Sequence, residues 1–149
     1  MGESMGTNNK SLVERAVAIA LEAHAGQVDK AGAPYILHPL RLMTQMQTEE
    51  EQLAAVLHDV VEDSDFTFET LQAAGIPEEV IETLKLLTHQ ETDSYEAYVR
   101  KIKPHPVARK VKLADLTDNM RLDRIPHPTE KDIARLQKYT QAVQLLEAR

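Results

Sequence analysis

The sequence lacks several residue types on which many folds and sites depend. It contains no cysteine, which excludes disulfide bonds and thiolate metal sites and is typical of a reducing compartment, so we predict a cytoplasmic location. It contains no tryptophan, and aromatic residues make up only 4% of the chain. Leu, Val, Ile and Ala must therefore build the interior, and that mixture favours helices over sheets.

Other absences exclude classes of partner. No apolar run approaches the roughly 18 residues that a membrane-spanning helix needs, and the polar N-terminus lacks the apolar core of a signal peptide, so we expect no membrane partner. The net charge of −7 is opposite to that of a general nucleic-acid binder, so we expect no nucleic-acid partner. We predict a disordered tail at residues 1–10 and a single domain at residues 11–149.

Apolar residues recur at helical spacing along most of the chain, which predicts an all-α fold. Only Tyr35–Leu37 is expected to form a short extended piece. A central helix should start near Thr48, run without a break through Asp63, and be apolar on nearly every side. The other helices are expected to begin at caps or prolines, namely Ser11, Pro39, Thr67, Pro77, Ser94, Pro106 and Thr129.

The most informative stretch of the chain lies within this central helix. His58 and Asp59 end an apolar run, and the carboxylates of Glu62 and Asp63 follow within one helical turn. Charged groups are rarely placed against a core unless something compensates them, and a divalent metal would do so. The run therefore indicates a metal site.

Two further residues elsewhere in the chain could complete such a site. His38 precedes a proline at a predicted helix start, and Asp115 lies on a later helix with Lys112 one turn before it and Asn119 one turn after it. Together with His58 and Asp59, they form a ligand set that can hold one transition metal and leave positions open for water and substrate. Helical bundles build metal sites from facing helices in this way.

The expected chemistry is hydrolysis. A divalent metal lowers the pKa of its water, Glu62 or Asp63 would position or deprotonate that water, and Asn119 would orient the substrate. Six basic residues between Arg100 and Lys112 suggest a phosphate-bearing substrate. We assign substrate contacts to Lys30, Lys112 and Asn119.

Each of these features also has a plainer explanation. The His-Asp pair can occur by chance, Asp115 can pair with Lys112 or Arg121, and a basic run is more often a solvated helix face. The combination of these residues on helices beside apolar runs favours the metal site. The remaining histidines are interpreted as surface or packing residues: His24, His89, His105 and His127.

Four segments, in order, resemble the RelA/SpoT-type hydrolase domain of the HD superfamily and its stand-alone relatives. They are His24–Gln27, Lys30–Pro39, Leu57–Asp63 and Val111–Met120. The resemblance implies a compact helical HD-domain bundle that uses Mn²⁺ to remove the 3′-pyrophosphate from guanosine tetra- and pentaphosphate, a nucleotide partner. The synthetase domain of the long family members is not expected, since the chain ends too soon.

The resemblance also implies roles for individual residues. The metal ligands fall on four positions, namely His38, His58, Asp59 and Asp115. The catalytic acidic pair falls on Glu62 and Asp63, and a substrate-contacting amide falls on Asn119.

Three departures from the family pattern fall on positions of substrate recognition. Family hydrolases usually carry Arg-Lys-Ser before the loop glycine, where the Arg packs on guanine, whereas this chain has Asp29, Lys30 and Ala31. Leu122 stands where a Thr is often found. Every metal position is kept, so hydrolysis is expected to survive while the base that is recognised stays open.

Three functions are therefore compatible with the sequence. The first is hydrolysis of a guanosine 3′-pyrophosphate alarmone, and the second is hydrolysis of another nucleotide or small phosphate ester. The third is a non-catalytic metal or nucleotide sensor, against which the presence of both Glu62 and Asp63 argues. Val143 and Leu146 are expected to be exposed on the last helix, where they could mediate homo-oligomer formation.

Overall fold

The computed structural model describes residues 10–121 and 125–149, and this part of the chain is helical without a β-strand. The predicted all-α fold is confirmed. The tail predicted at residues 1–10 lies outside the described residues except for its last position, and Leu122 lies outside them as well. The helices are α1 (Leu12–Ala23), α2 (Leu37–Thr44), α3 (Glu49–Leu57), α4 (Val60–Asp63), α5 (Phe68–Ala73), α6 (Glu78–Leu87), α7 (Tyr95–Ile102), α8 (Pro106–Asn119) and α9 (Glu130–Glu147).

Local capping signals determine where most helices begin. The hydroxyls of Ser11, Thr48, Ser94 and Thr129 each accept a hydrogen bond from a backbone N–H in the first turn of the following helix. At Ser11, Thr48 and Thr129 a carboxylate three residues later bonds back to the cap, which completes a capping box. Gly75 follows α5 with a φ of +97°, a conformation that a side chain disfavours.

The prediction of an extended piece at Tyr35–Leu37 is wrong. Ile36 has helical backbone angles and Leu37 already belongs to α2, because turn hydrogen bonds at Leu37 and His38 start the helix early. The only β-type pairing among the described residues is an isolated bridge between Val28 and Pro34. His38 therefore lies in the first turn of α2, as its position before Pro39 suggested.

The prediction of an uninterrupted central helix is also wrong. Helix α3 ends at Leu57, and Asp59 has a φ of −106° and a ψ of 1°, so the chain bends before α4 begins at Val60. Successive side chains on a regular helix point about 100° apart. The bend instead lets the side chains of His58 and Asp59 meet, with Nε2 and Oδ2 3.0 Å apart.

Helix α3 lies between the two parts of the hydrophobic core. Leu53, Val56 and Leu57 pack towards α1, α5 and α6, while Ala54 and Ala55 pack towards α2, α7, α8 and α9. Residues 53–57 are all buried, which agrees with a helix that is apolar on nearly every side.

The last helix completes this core instead of presenting an apolar face. Leu146 is fully buried and Val143 is half-buried against the same cluster, so the prediction that these two residues are exposed is wrong. Among the described residues, no helix has both the length and the apolar character needed to cross a bilayer.

Candidate metal centre

Three helical segments bring the four predicted ligands together. His38 comes from the first turn of α2, His58 and Asp59 from the bend between α3 and α4, and Asp115 from α8. One donor atom from each of these residues lies within 4.8 Å of the others. The three residues other than Asp59 are buried, so the cluster sits at the edge of the core.

Hydrogen bonds orient both imidazole rings towards the centre of the cluster. Nδ1 of His58 lies 2.8 Å from the carbonyl oxygen of Ala55, which can only accept, so Nδ1 carries the proton. Nδ1 of His38 lies 2.6 Å from the Asp118 carboxylate in the same way. In a neutral imidazole this leaves the lone pair on Nε2, and both Nε2 atoms face the cluster.

The donor atoms of the cluster lie close enough together to share a proton or a metal ion. Nε2 of His38 lies 2.8 Å from Oδ1 of Asp115, and Nε2 of His58 lies 3.2 Å from the same oxygen and 3.0 Å from Oδ2 of Asp59. These contacts place lone pairs against lone pairs unless a proton or a metal ion lies between them. Two imidazole nitrogens and two carboxylates suit a divalent transition metal, so the residues present fit one.

Neighbouring charges shift the pKa values of the ionisable groups in the metal-free cluster. Burial by itself raises the pKa of Asp115, but Lys112 and the two histidines outweigh it and hold that pKa well below its usual range. Burial lowers the pKa of His58, and the charges of Asp59 and Asp115 outweigh it and raise that pKa. Opposite charges therefore compensate one another inside the cluster.

Polar neighbours hold the carboxylates of the cluster. Asp115 accepts hydrogen bonds of 3.0 Å from Nζ of Lys112 and from Nδ2 of Asn119, one turn before and after it on α8. The Tyr35 hydroxyl donates to Oδ2 of Asp59. Each metal-facing carboxylate thus has a fixed orientation before any ion binds.

The acidic pair Glu62 and Asp63 lies on α4 at the solvent edge of this cluster. Glu62 accepts a 2.9 Å hydrogen bond from the backbone N–H of His89. Partial desolvation is the main cause that raises the pKa of both carboxyls, and the nearby charge of Asp59 adds to it. Both groups are therefore biased towards holding a proton at higher pH than a free carboxyl, which suits proton transfer.

The three predicted substrate-binding residues differ in their exposure and in the groups that they contact. Lys30 is exposed on the loop before α2 and, with Asn119, lines a cavity of about 360 Å³ that reaches Tyr35. The Lys112 side chain is only 12% exposed, pairs with Asp115, and lies 5.2 Å from the ring centroid of Tyr98. Its first partner is thus a carboxylate of the cluster, although it also lines a second cavity of about 140 Å³ beside Glu62.

Three of the six basic residues between Arg100 and Lys112 pair with carboxylates on the protein surface. Arg100 pairs with Glu96, Lys101 with Asp93 and Lys110 with Glu51. The plainer explanation, a solvated helix face, therefore fits these three cations.

Sequence reasoning missed several residues that contact the cluster. Asp118 and Arg41 form a charged pair behind His38, and Tyr35 bonds to Asp59. The signal for Asp118 and Arg41 was present, because each lies three residues after a predicted ligand and thus on the same helix face.

Two of the histidines assigned to packing or surface lie near the site. His24 is only 2% exposed and packs 4.8 Å from the Tyr35 ring, measured between ring centroids. Its Nδ1 contacts the Gln27 side chain, while Nε2 has no hydrogen-bond partner among the described residues. His89 stacks on Tyr98 at 4.6 Å.

The loop that departs from the family pattern is folded on its own aspartate. Oδ1 of Asp29 accepts hydrogen bonds of 2.9 Å from the backbone N–H groups of Ala31 and Ala33. Asp29, Lys30 and Ala31 all line the larger cavity, so this wall carries an acid where the family pattern has an arginine.

Comparison with known proteins gives several relatives named as pyrophosphohydrolases, and also a probable GTP pyrophosphokinase of Mycobacterium leprae that is 30% identical over 83% of this chain and 17% of that protein. The guanosine-3′,5′-bis(diphosphate) 3′-pyrophosphohydrolase of Vibrio cholerae is 35% identical over 133 residues, which cover 80% of this chain and 19% of that protein. The probable enzyme of the same name from Synechocystis is 34% identical over 150 residues, or 90% of this chain and 20% of that protein. The chain thus spans about a fifth of the length of these curated relatives.

Structural comparison agrees with the sequence comparison. A metazoan orthologue of SpoT that hydrolyses ppGpp superimposes with a TM-score of 0.74 at 24% identity, over 92% of this chain and 86% of that one. No protein-family model matches the chain. The sequence similarity to the pyrophosphohydrolases shows that this chain belongs to the family of RelA/SpoT-type HD hydrolase domains, and the shared helical fold agrees with it.

Proposed function

We propose that residues 11–149 form one metal-dependent phosphohydrolase domain that removes the 3′-pyrophosphate from guanosine 3′,5′-bis(diphosphate). The observation that carries this proposal is the convergence of His38, His58, Asp59 and Asp115 within 4.8 Å, beside an acidic pair. The names of the relatives support the choice of substrate.

In this proposal, the imidazoles of His38 and His58 and the carboxylates of Asp59 and Asp115 hold one divalent ion, for which we propose Mn²⁺. When bound, the ion supplies Lewis acidity, which lowers the pKa of water and withdraws charge from phosphoryl oxygens. The chain contributes a ligand set that is already oriented, because each imidazole is fixed through Nδ1 and Asp115 is fixed by Lys112 and Asn119.

Glu62 and Asp63 act as the general base and general acid of the reaction. One carboxylate takes a proton from the attacking water as the water oxygen bonds to the phosphorus next to the ribose. The bond from that phosphorus to the 3′ oxygen then breaks, and the 3′ oxygen takes up a proton, which yields the nucleoside 5′-diphosphate and pyrophosphate. The raised pKa of each carboxyl supports both roles, since a carboxyl that binds its proton more tightly than usual is a better proton acceptor.

The larger cavity is the place we propose for the nucleoside. It combines apolar wall residues, such as Val28 and Leu136, with polar groups at Lys30 and Asn119, and ligand pockets commonly have this composition. Asn119 donates to Asp115 and also lines the cavity, so it connects the proposed nucleoside site to the metal centre.

A second candidate function is the hydrolysis of another nucleotide or small phosphate ester. Asp29 favours it, because a carboxylate in the cavity wall cannot stack on a base as an arginine does and repels phosphate. The same cluster and the same acidic pair would serve both reactions, so the choice between them concerns only the substrate.

The test is release of phosphate or pyrophosphate from a panel of nucleotides with added Mn²⁺. Pyrophosphate release from guanosine tetraphosphate that is lost in Glu62→Gln supports the proposal, with Glu82→Gln on the exposed face of α6 as the matched control. Turnover of other nucleotides alone would select the second candidate. Binding without turnover, and no effect of Glu62→Gln, would identify a sensor.

A further inference from the structure

A charged pair lies directly behind one of the two histidines of the metal centre. Oδ2 of Asp118 lies 2.6 Å from Nδ1 of His38 and 2.8 Å from Nη2 of Arg41, while Oδ1 lies 2.9 Å from Nε of Arg41. Both oxygens of the carboxylate are therefore engaged by the guanidinium fork. Asp118 is 5% exposed and His38 is 3% exposed, so solvent screens the contact between them little, while the Arg41 side chain is 31% exposed.

The guanidinium of Arg41 favours the ionised, hydrogen-bond-accepting form of the Asp118 side chain. Arg41 is always charged, and its two parallel N–H···O bonds favour the ionised form of the carboxyl. An ionised carboxylate can only accept, so the proton of a neutral His38 must reside on Nδ1. Nε2 of His38, which lies 2.8 Å from Asp115, is then left with its lone pair directed into the cluster.

We propose that Asp118, held by Arg41, is a positioning residue that fixes the tautomer and ring orientation of His38 for metal binding. The inference rests on the proposed function, since it assumes that His38 is a metal ligand. Among the described residues, Nδ1 of His58 contacts a backbone carbonyl, whereas Nδ1 of His38 contacts a side chain that can be exchanged. Partners of this kind behind a ligand typically change metal affinity 10–100-fold when they are mutated.

A purely structural role makes a different prediction. Arg41 lies on α2 and Asp118 lies on α8, so their ion pair also joins two helices. If it only joined them, its loss would lower the stability of the metal-free and metal-loaded protein equally and leave the affinity for metal unchanged.

The experiment measures Mn²⁺ binding to the full chain by calorimetry, without any nucleotide. Asp118→Asn keeps the shape of the side chain and removes its charge, and Arg41→Lys keeps the charge and removes the two-pronged contact. Asp93→Asn is the control, because it makes the same chemical change in an aspartate that pairs with Lys101 on the surface, away from the cluster. Melting temperatures with and without Mn²⁺ are recorded for each variant.

We expect Asp118→Asn to weaken Mn²⁺ binding about 10–100-fold and Arg41→Lys to weaken it less, with Asp93→Asn within twofold of the wild type. With Co²⁺ as a spectroscopic probe, the visible absorption bands should change in Asp118→Asn and not in the control. Wild-type affinity in both Asp118→Asn and Arg41→Lys overturns the inference and leaves the proposed function standing. Absence of Mn²⁺ binding in the wild type overturns both.

Discussion

The carboxylate of Asp115 has two separable roles in this structure, and a pair of substitutions distinguishes them. It faces both imidazoles of the cluster, and it neutralises Lys112, whose side chain is 12% exposed. Asp115→Asn should therefore abolish tight metal binding and also leave a buried cation without its partner. Breaking a buried ion pair from one side costs about 3–5 kcal/mol of the free energy of unfolding.

The stabilisation that a bound metal ion adds to the folded state can be calculated separately. An ion present at about 100 times its Kd stabilises the folded state by about 2.7 kcal/mol, which for a chain of this size raises the melting temperature by about 5–10 °C. The wild type should show this rise with Mn²⁺ and lose it on chelation. Asp115→Asn should melt lower without metal and show no rise with it.

The double variant Asp115→Asn with Lys112→Met separates the two roles. Removing the cation as well should restore part of the stability of the metal-free protein, because no unpaired charge remains buried. It should not restore the metal-induced rise. Calorimetry and thermal melts on the four proteins complete the cycle, and a metal-induced rise of wild-type size in Asp115→Asn would refute the assignment of this residue as a ligand.

Three further predictions concern other parts of the chain. Glu62→Gln should lower kcat by about 10²–10⁴-fold while Mn²⁺ affinity stays at the wild-type level, and a parallel loss of affinity would make Glu62 a ligand instead. Thr48→Ala should remove the cap of α3 and cost about 1 kcal/mol, seen as a melting temperature lower by about 2–4 °C with Mn²⁺ affinity unchanged. Gly75→Ala should cost about 1 kcal/mol or more, because Gly75 has a φ of +97°, which a residue with a side chain disfavours. Chemical denaturation measures this loss, and an unchanged midpoint would show that the backbone there is not strained.

Much of the fold could be predicted because its signals are local. Ser11, Thr48 and Thr129 each form a capping box with a carboxylate three residues away, so a window of four residues contains the interaction. The error at Leu146 arose because a distant contact intervenes. Leu146 is apolar in either setting, and only the packing of α9 onto α7 and α8 decides that it is fully buried.

The candidate site was predictable in its composition and less so in its surroundings. His38, His58, Asp59 and Asp115 were named from residue chemistry and family resemblance, and the fold brings them together. The polar companions of Asp115 were named as Lys112 and Asn119, but the partners of His38 and Asp59 were not. Asp118 gains its position behind His38 only through the packing of α8 against α2, across 80 residues of sequence.

The sequence by itself determined the helical class, most helix starts and the identity of the metal-competent side chains, because propensity, caps and side-chain chemistry are properties of short segments. The tertiary structure decided which lone pairs face one another, where the central helix bends, and which charges compensate each other. These outcomes depend on distances between helices that are remote along the chain. The bend at Asp59 lets the side chains of two adjacent residues meet, and the helical periodicity of the sequence does not predict this contact.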